Sequence, residues 1–296
     1  GLARAQAAHA KYAAYGKADR FLDPAEVEEL SGIPGYLGGW VHRDGGHLNP
    51  LAYVRGLASA AKEAGVRIFT QTPLIGITRS AQGHWLLRTP HGEITSRKVG
   101  LTTNAYGTQV IPARLRKSIV PITSYAVASE RLTKEQRAAV LPSGVNFSDT
   151  RRDPMFFRVD TEGRIITGGL VEPRRGRLTE HTFEGFTKRL TDLYPVLEGL
   201  QWTHHWSGTV GISARQRPAI FELEDGLWGL VGYSGRGVPT SAALGRAFAE
   251  TLRDPDEGAK LWPAESPARI VAGRAIGLAV QGFRGTINKV RDRLES

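Results

Sequence analysis

Leu227-Trp228-Gly229-Leu230-Val231 is an unbroken apolar run. It feeds directly into Gly232-Tyr233-Ser234-Gly235-Arg236-Gly237-Val238 and then into an alanine-rich stretch, about Thr240 to Leu252, with Ala242, Ala243, Ala247 and Ala249. A short apolar run bounded by glycine predicts a buried strand, and the alanine content predicts a helix. The glycines between them permit a tight turn, and the turn presents free N–H groups and the positive end of a helix to an anionic or electron-rich oxygen. Two accounts of this loop stay open: approach of a ligand, or a plain turn packing helix against strand. Its G-x-x-G-x-G spacing differs from the dinucleotide fingerprint G-x-G-x-x-G, and no acid follows about 20 residues later in a βαβ unit.

Upstream of the loop, β-prone runs come in succession. A strand pair at 219–232 follows an arginine-bearing turn, Ser213 to Pro218, and the segment Trp202 to Gly211. A helix from about His181 to Leu193, stopped by Tyr194-Pro195, separates these from runs at Pro121–Glu130 and Phe156–Gly169, the latter with Thr161-Glu162-Gly163 as a hairpin turn. Three short runs between Leu74 and Val99, broken by Gln82-Gly83 and His91-Gly92, read as an antiparallel meander. Gly100 to Tyr106 reads as a strand ending in a polar turn. Before the meander stands a clear helix signal, Asn49 as N-cap and Pro50 at N1, then Leu51, Val54, Leu57, Ala58 and Ala61 at helical spacing, stopped by Gly65. A strand, Val66 to Thr70, is expected directly after it. Asp23-Pro24-Ala25-Glu26 opens another helix with a capping box, and residues 2–17 are helical by composition. Strands alternate with helices in part and run consecutively in part, so the fold class is α/β with an antiparallel layer (α+β).

The 296 residues, 41% hydrophobic with mean hydropathy −0.27, describe a soluble globular chain with room for one large domain or two ordinary ones. No window reaches the roughly 18 apolar residues of a bilayer helix, and the first thirty residues carry charges where a signal peptide would be apolar. The chain reads as cytoplasmic. Cysteine is absent, which excludes a disulfide framework, thiolate catalysis and cysteine zinc sites. The net charge of +10 comes with short basic clusters at Arg114–Lys117 and Arg174–Arg177, but with no aromatic interleaving of a nucleic-acid module, so no nucleic acid partner is expected. His204-His205 are adjacent, and His42 and His47 lack carboxylates at ligand spacing, so no metal is expected. No nucleophile elbow or Walker loop occurs. Arg158, Arg217 and Arg236 sit in turns or beside glycine, where a guanidinium serves either as a carboxylate clamp or as a structural ion pair.

Several pieces recur in a fixed order. They are Gly39 with Asp44-Gly45-Gly46-His47-Leu48-Asn49-Pro50, Gly65-Val66 to Ile77, Thr103-Asn104-Ala105-Tyr106, and Pro121 to Tyr125. Phe157-Arg158 with Gly163-Arg164 and Gly168-Gly169, Trp206 with Gly208, and Gly232 to Val238 complete the series. The series resembles the FAD-dependent amine and amino-acid oxidoreductases of the D-amino-acid oxidase superfamily, most closely the gamma-glutamylputrescine oxidoreductase branch, over roughly residues 30–255. The resemblance implies FAD as cofactor and a Rossmann-like FAD-binding domain (39–110 and 223–255). It further implies a substrate domain with an antiparallel or mixed sheet (111–222), flanked by a helical N-terminal segment (1–38) and a C-terminal tail (256–296). It brings Gly232, Tyr233, Ser234, Gly235, Arg236, Gly237 and Val238 to the flavin ring, and Leu74, Thr103 and Asn104 to the adenosine half. Trp206 and Gly208 join the cofactor side, and His47, Phe157 and Arg158 become candidates on the substrate side. The catalytic residues themselves stay unassigned.

The sequence departs from the family pattern in two ways. Members open with a strand, G-x-G-x-x-G and helix that have no counterpart in these residues, which begin at Gly1 and contain Met155 alone of its kind. An upstream segment is therefore expected to complete the domain. Without it, apolar surface should be covered by residues 2–17, by a second copy, or by that segment bound separately. Second, amino-acid oxidases of the family often follow Trp-x-Gly with a carboxylate-binding arginine, whereas Thr209-Val210-Gly211 follow here. An amine or ω-aminated substrate, of the gamma-glutamylputrescine kind, is thereby favoured over a simple α-amino acid. The alternative is a non-catalytic domain that needs a missing segment or partner chain to hold FAD.

Overall fold

The computed structural model describes the chain except residues 17–19, 43, 152–153, 171–179, 274 and 276–296. The basic cluster Arg174–Arg177 and most of the expected tail thus lie outside the described residues. In chain order the elements begin with α1 (Leu2–Ala13), β1 (Phe21–Leu22), α2 (Pro24–Ser31), β2 (Gly39–Trp40) and α3 (Pro50–Glu63). Next come β3 (Gly76–Arg79), β4 (Trp85–Thr89), β5 (Gly92–Ser96), β6 (Val99–Leu101), a 3-10 turn at Asn104–Tyr106 and α4 (Ala113–Arg116). β7 (Ile119–Arg131), α5 (Lys134–Ala139), β8 (Phe147–Ser148), β9 (Phe156–Val159), β10 (Arg164–Leu170) and α6 (Glu180–Leu193) follow. The last elements are β11 (His204–Ser213), β12 (Ala219–Glu224), β13 (Leu227–Val231), α7 (Gly237–Arg253) and α8 (Pro255–Leu261). The chain divides into two compact units, whose described parts lie within residues 1–49 and 124–208 for the first and 50–123 and 209–275 for the second.

The first unit is built on an antiparallel sheet of order β11-β7-β10-β9-β8. The β9–β10 hairpin turns at Gly163, φ +82°, where the Asp160 carboxylate accepts the Glu162 and Arg164 N–H groups, each at 2.9 Å. Ile165 and Phe157 point from this hairpin into a core with Leu190 of α6, Leu197, Val140 and Leu141. Ile33, just beyond α2, joins them, and α2 carries the predicted capping box, with the Asp23 side chain accepting Glu26 N–H and Glu26 accepting Asp23 N–H, each at 2.9 Å. Tyr194 ties the two together by donating its hydroxyl to the Ser31 carbonyl. Helix α1 lies on the β1–β2 ribbon, its His9 ring 5.5 Å from Phe21 and its Tyr12 ring 6.3 Å from Trp40.

The second unit holds the meander β3-β4-β5 and a sheet of order β12-β13-β6. β13 runs parallel to β6, Trp228 opposite Gly100, and antiparallel to β12. All five β13 residues are buried, as an apolar run between two covered faces requires. Alternation divides them: Trp228 and Leu230 pack with Leu244, Ala247 and Phe248 of α7, while Leu227 and Val231 pack with Leu115, Ile111 and Trp85 on the other side. α7 starts at Gly237, three residues before the alanine signal, because Pro239 fits the first turn of a helix.

The expected strand at Val66–Thr70 does not form. These residues follow the α3 C-terminus, where Gly65 turns at φ +87°, and run as irregular chain with no ladder partner among the described residues. Val66 and Phe69 are exposed by 53% and 64%. A β-prone run without a neighbour to accept its backbone bonds has nothing that makes it a strand.

Candidate functional site

The loop between β13 and α7 is held by polar contacts at each end. Gly232, φ +88°, donates its N–H to Asn104 Oδ1 at 3.1 Å. Ser234 sits in the left-handed region, φ +53°, donates its N–H to the Gly211 carbonyl at 3.0 Å, and its hydroxyl oxygen accepts the Ser213 N–H at 3.1 Å. The same hydroxyl donates to the Gly232 carbonyl at 3.0 Å, which explains how a serine keeps a backbone that glycine would adopt freely. Beyond this clamp Gly235, φ +82°, has no atom within 4 Å of where a Cβ would stand. α7 then begins with Arg236 at its N-cap and no side-chain hydrogen bond capping it. The N–H groups of Gly237 and Val238, at the start of a seventeen-residue helix whose third residue, Pro239, has none, therefore find no acceptor in the N-cap side chain.

Asn104 reaches this loop, and Thr103 precedes Asn104 in the chain, with its hydroxyl beside Gly107. Thr103 Oγ1 is buried without a hydrogen-bond partner, and Leu74 packs on the neighbouring apolar cluster. Tyr233, half-buried against the α7 cluster, bridges backbone to Ile212, and burial raises its phenol above the usual range. Arg236 and Val238 are exposed. Trp206 and Gly208 lie on β11 in the first unit, and Trp206 is 47% exposed.

The substrate-side candidates all lie in the first unit. Phe157 is 2% exposed and serves the core, its ring 5.1 Å from Phe147, while Arg158, next on β9, turns outward and donates to the Leu48 carbonyl at 2.9 Å. His47 lines a cavity of about 880 Å³ together with Tyr36, Trp40, His42, Asn146 and Asp149. Asp149 stands in no sequence motif. Its carboxylate is shielded from solvent, accepts Met155 N–H at 2.8 Å and Arg151 N–H at 3.3 Å, and pairs with Arg151 Nε at 3.2 Å. Burial raises its pKa, against the pull of those donors. Burial, with Asp149 as a second cause, pushes Tyr36 up to about 12, so its hydroxyl keeps its proton and donates to Asp149 Oδ2 at 3.4 Å. Of the turn arginines, Arg217 is already engaged: it pairs with Glu265 and stacks over Trp262 at 5.6 Å. Among the described residues no group of three or more His, Asp or Glu is placed to hold a metal ion, and no helix is long and apolar enough to cross a membrane.

The family model described as FAD dependent oxidoreductase matches residues 1–251. The chain belongs to this family. Its relatives include the probable oxidoreductase OrdL of Haemophilus influenzae, 26% identical over 88% of this chain and 61% of that protein. Gamma-glutamylputrescine oxidoreductase of Escherichia coli is 24% identical over 92% of this chain and 63% of that protein. The chain thus spans about three-fifths of the length of these curated relatives. Among solved structures, glycine oxidase from Bacillus cereus matches with a TM-score of 0.70 at 17% identity, over 88% of this chain and 71% of that one. A fructosyl peptide oxidase matches with a TM-score of 0.72 at 15% identity, over 93% and 76%. The mixed fold expected for the family is therefore the fold observed.

The residues at the loop fit a flavin. A helix start without a side-chain cap would accept a group with acceptor atoms, and the open space at Gly235 leaves room for it; the buried Thr103 hydroxyl, next to Asn104 in the chain, is a further unpartnered polar group.

Proposed function

We propose that this chain is the part of an FAD-dependent oxidoreductase that presents its glycine loop to the flavin and oxidises the C–N bond of an amine or amino-acid-like substrate. The observation that carries the reading is the loop itself: Gly232 to Val238, pinned at Gly232 and Ser234, leaves the α7 amides free of side-chain acceptors. FAD, when bound, supplies the acceptor for the hydride leaving the carbon next to nitrogen, and water hydrolyses the resulting imine. The amides at the α7 start stabilise negative charge, Gly235 permits close backbone approach, and Thr103 Oγ1 offers a hydrogen bond. No residue of the chain is required to act as a base, because an amine that arrives neutral needs only orientation and exclusion of water.

Within the first unit by itself, the cavity beside His47 is the candidate for holding an amine. Its rings Tyr36 and Trp40 and its polar groups Asn146 and His42 suit an amine-bearing chain. An amine without a clamped α-carboxylate is the favoured substrate, since Val210 occupies the position after Trp206-Ser207-Gly208-Thr209 and Arg217 is neutralised by Glu265. Arg158 is the residue that would bind a carboxylate if one were bound. Anaerobic mixing of the flavin-loaded protein with a series of amines, and with D- and L-amino acids, tests this. Bleaching by ω-aminated compounds is expected; bleaching by glycine or D-alanine ahead of every amine would overturn the substrate class.

A further inference from the structure

We infer that Asn104 is the positioning residue of the glycine loop, an inference that rests on the flavin reading above for its consequence and on this structure for its geometry. Its family motif implies a place at the adenosine half, yet its carboxamide is wedged between two backbone segments far apart in sequence. On one side Oδ1 accepts the Gly232 N–H at 3.1 Å, across 128 positions of chain. On the other lies Gly211 of β11, where a Cβ would come within 2.4 Å of the same oxygen, so only glycine leaves room for it. Gly211 in turn accepts the Ser234 N–H at 3.0 Å, closing a ring of contacts from Asn104 through Gly211 to the loop and back. The backbone at Asn104 is left-handed, φ +45°, a conformation that asparagine tolerates better than almost any other non-glycine residue. Position 104 therefore meets two demands at once, a left-handed turn and a side-chain acceptor that reaches the buried Gly232 amide. Because Gly232 starts the loop whose far end is the α7 N-terminus, the carboxamide sets where Gly235 and the first α7 amides stand. Asn104 touches no reacting atom in this account and acts through the loop.

Amide hydrogen exchange at Gly232 and the dissociation constant for FAD, measured on the same protein, test the inference with variants Asn104→Ala, Asn104→Asp and Gly211→Ala. Losing one buried acceptor should speed Gly232 exchange about ten-fold and weaken FAD binding by a similar factor in Asn104→Ala. Asn104→Asp keeps an oxygen for the same N–H and should keep Gly232 protected. Gly211→Ala, whose methyl would also press the flexible end of Ile119, should produce most of the same loss of Gly232 protection alone and little more when added to Asn104→Ala, since both break the Asn104–Gly232 contact. Unchanged Gly232 exchange in Asn104→Ala, loss of protection in a folded Asn104→Asp, or losses from Asn104→Ala and Gly211→Ala that multiply would each overturn it. If Asn104→Ala does not fold, the Asp and Gly211 variants decide. If the wild-type protein takes up no FAD, the flavin reading fails while the exchange data still judge the role of Asn104.

Discussion

Two helices of the second unit have the same kind of sequence and opposite fates. α7 buries Leu244, Ala247, Phe248 and Thr251 against β12-β13-β6, while α3, with Leu51, Val54 and Leu57 at the same helical spacing, buries no residue at all. Those three side chains are 57%, 60% and 52% exposed, and the chain that follows α3 leaves Val66 and Phe69 open as well. Helical periodicity identifies an apolar face, but only a neighbour of matching shape turns that face into stability. α7 has that neighbour down to single atoms: Gly100 of β6 leaves the space into which the Phe248 ring fits, since a Cβ there would be 2.8 Å from it. Among the described residues the apolar face of α3 has no such cover.

The contrast predicts a ranked set of effects on unfolding free energy, measurable by denaturant titration. Phe248→Ala should cost about 3–5 kcal/mol, the range for removing a buried aromatic ring from a packed core. Gly100→Ala should cost about 1–3 kcal/mol, because the added methyl overpacks the same ring. At Gly56, inside α3, a Cβ meets nothing within 4 Å, so Gly56→Ala should stabilise by about 0.5–1 kcal/mol. Leu57→Lys should change stability by less than about 0.5 kcal/mol while lowering the binding of a hydrophobic dye. A multi-kcal/mol loss at Leu57 would mean that α3 is covered in solution and would break the comparison.

Much of this was legible from local chemistry. The capping box at Asp23 and Glu26, the hairpin at Gly163 and the strand-to-helix passage through Gly232 are each specified within a few neighbouring residues, and each appears where its residues place it. Val66 to Thr70 forms no strand despite its composition, because a β-prone run becomes one only beside a partner, and pairing is not written in the run itself. The substrate side was less legible. Phe157 and Arg158 are adjacent in sequence but face opposite ways on β9, one into the core and one outward, so a motif that names both cannot assign both the same role. Asp149 and the Asn104–Gly232 contact were invisible for another reason: burial and long-range hydrogen bonding arise only when distant segments meet, and a lone Asp or Asn carries no signal of either.

The loop pinned at Gly232 and Ser234 is the proposed flavin contact of this protein, and Gly235→Val tests it most directly. A valine at φ +82° is strained, and its side chain would fill the open space beside the α7 start, while nothing of the surrounding core touches that position. Purified in the presence of FAD, the wild-type protein should carry the flavin's visible absorbance. The variant should keep its circular dichroism spectrum, lose about 1–3 kcal/mol of stability and elute colourless. A folded Gly235→Val protein that binds FAD with wild-type affinity would contradict the assignment of the loop.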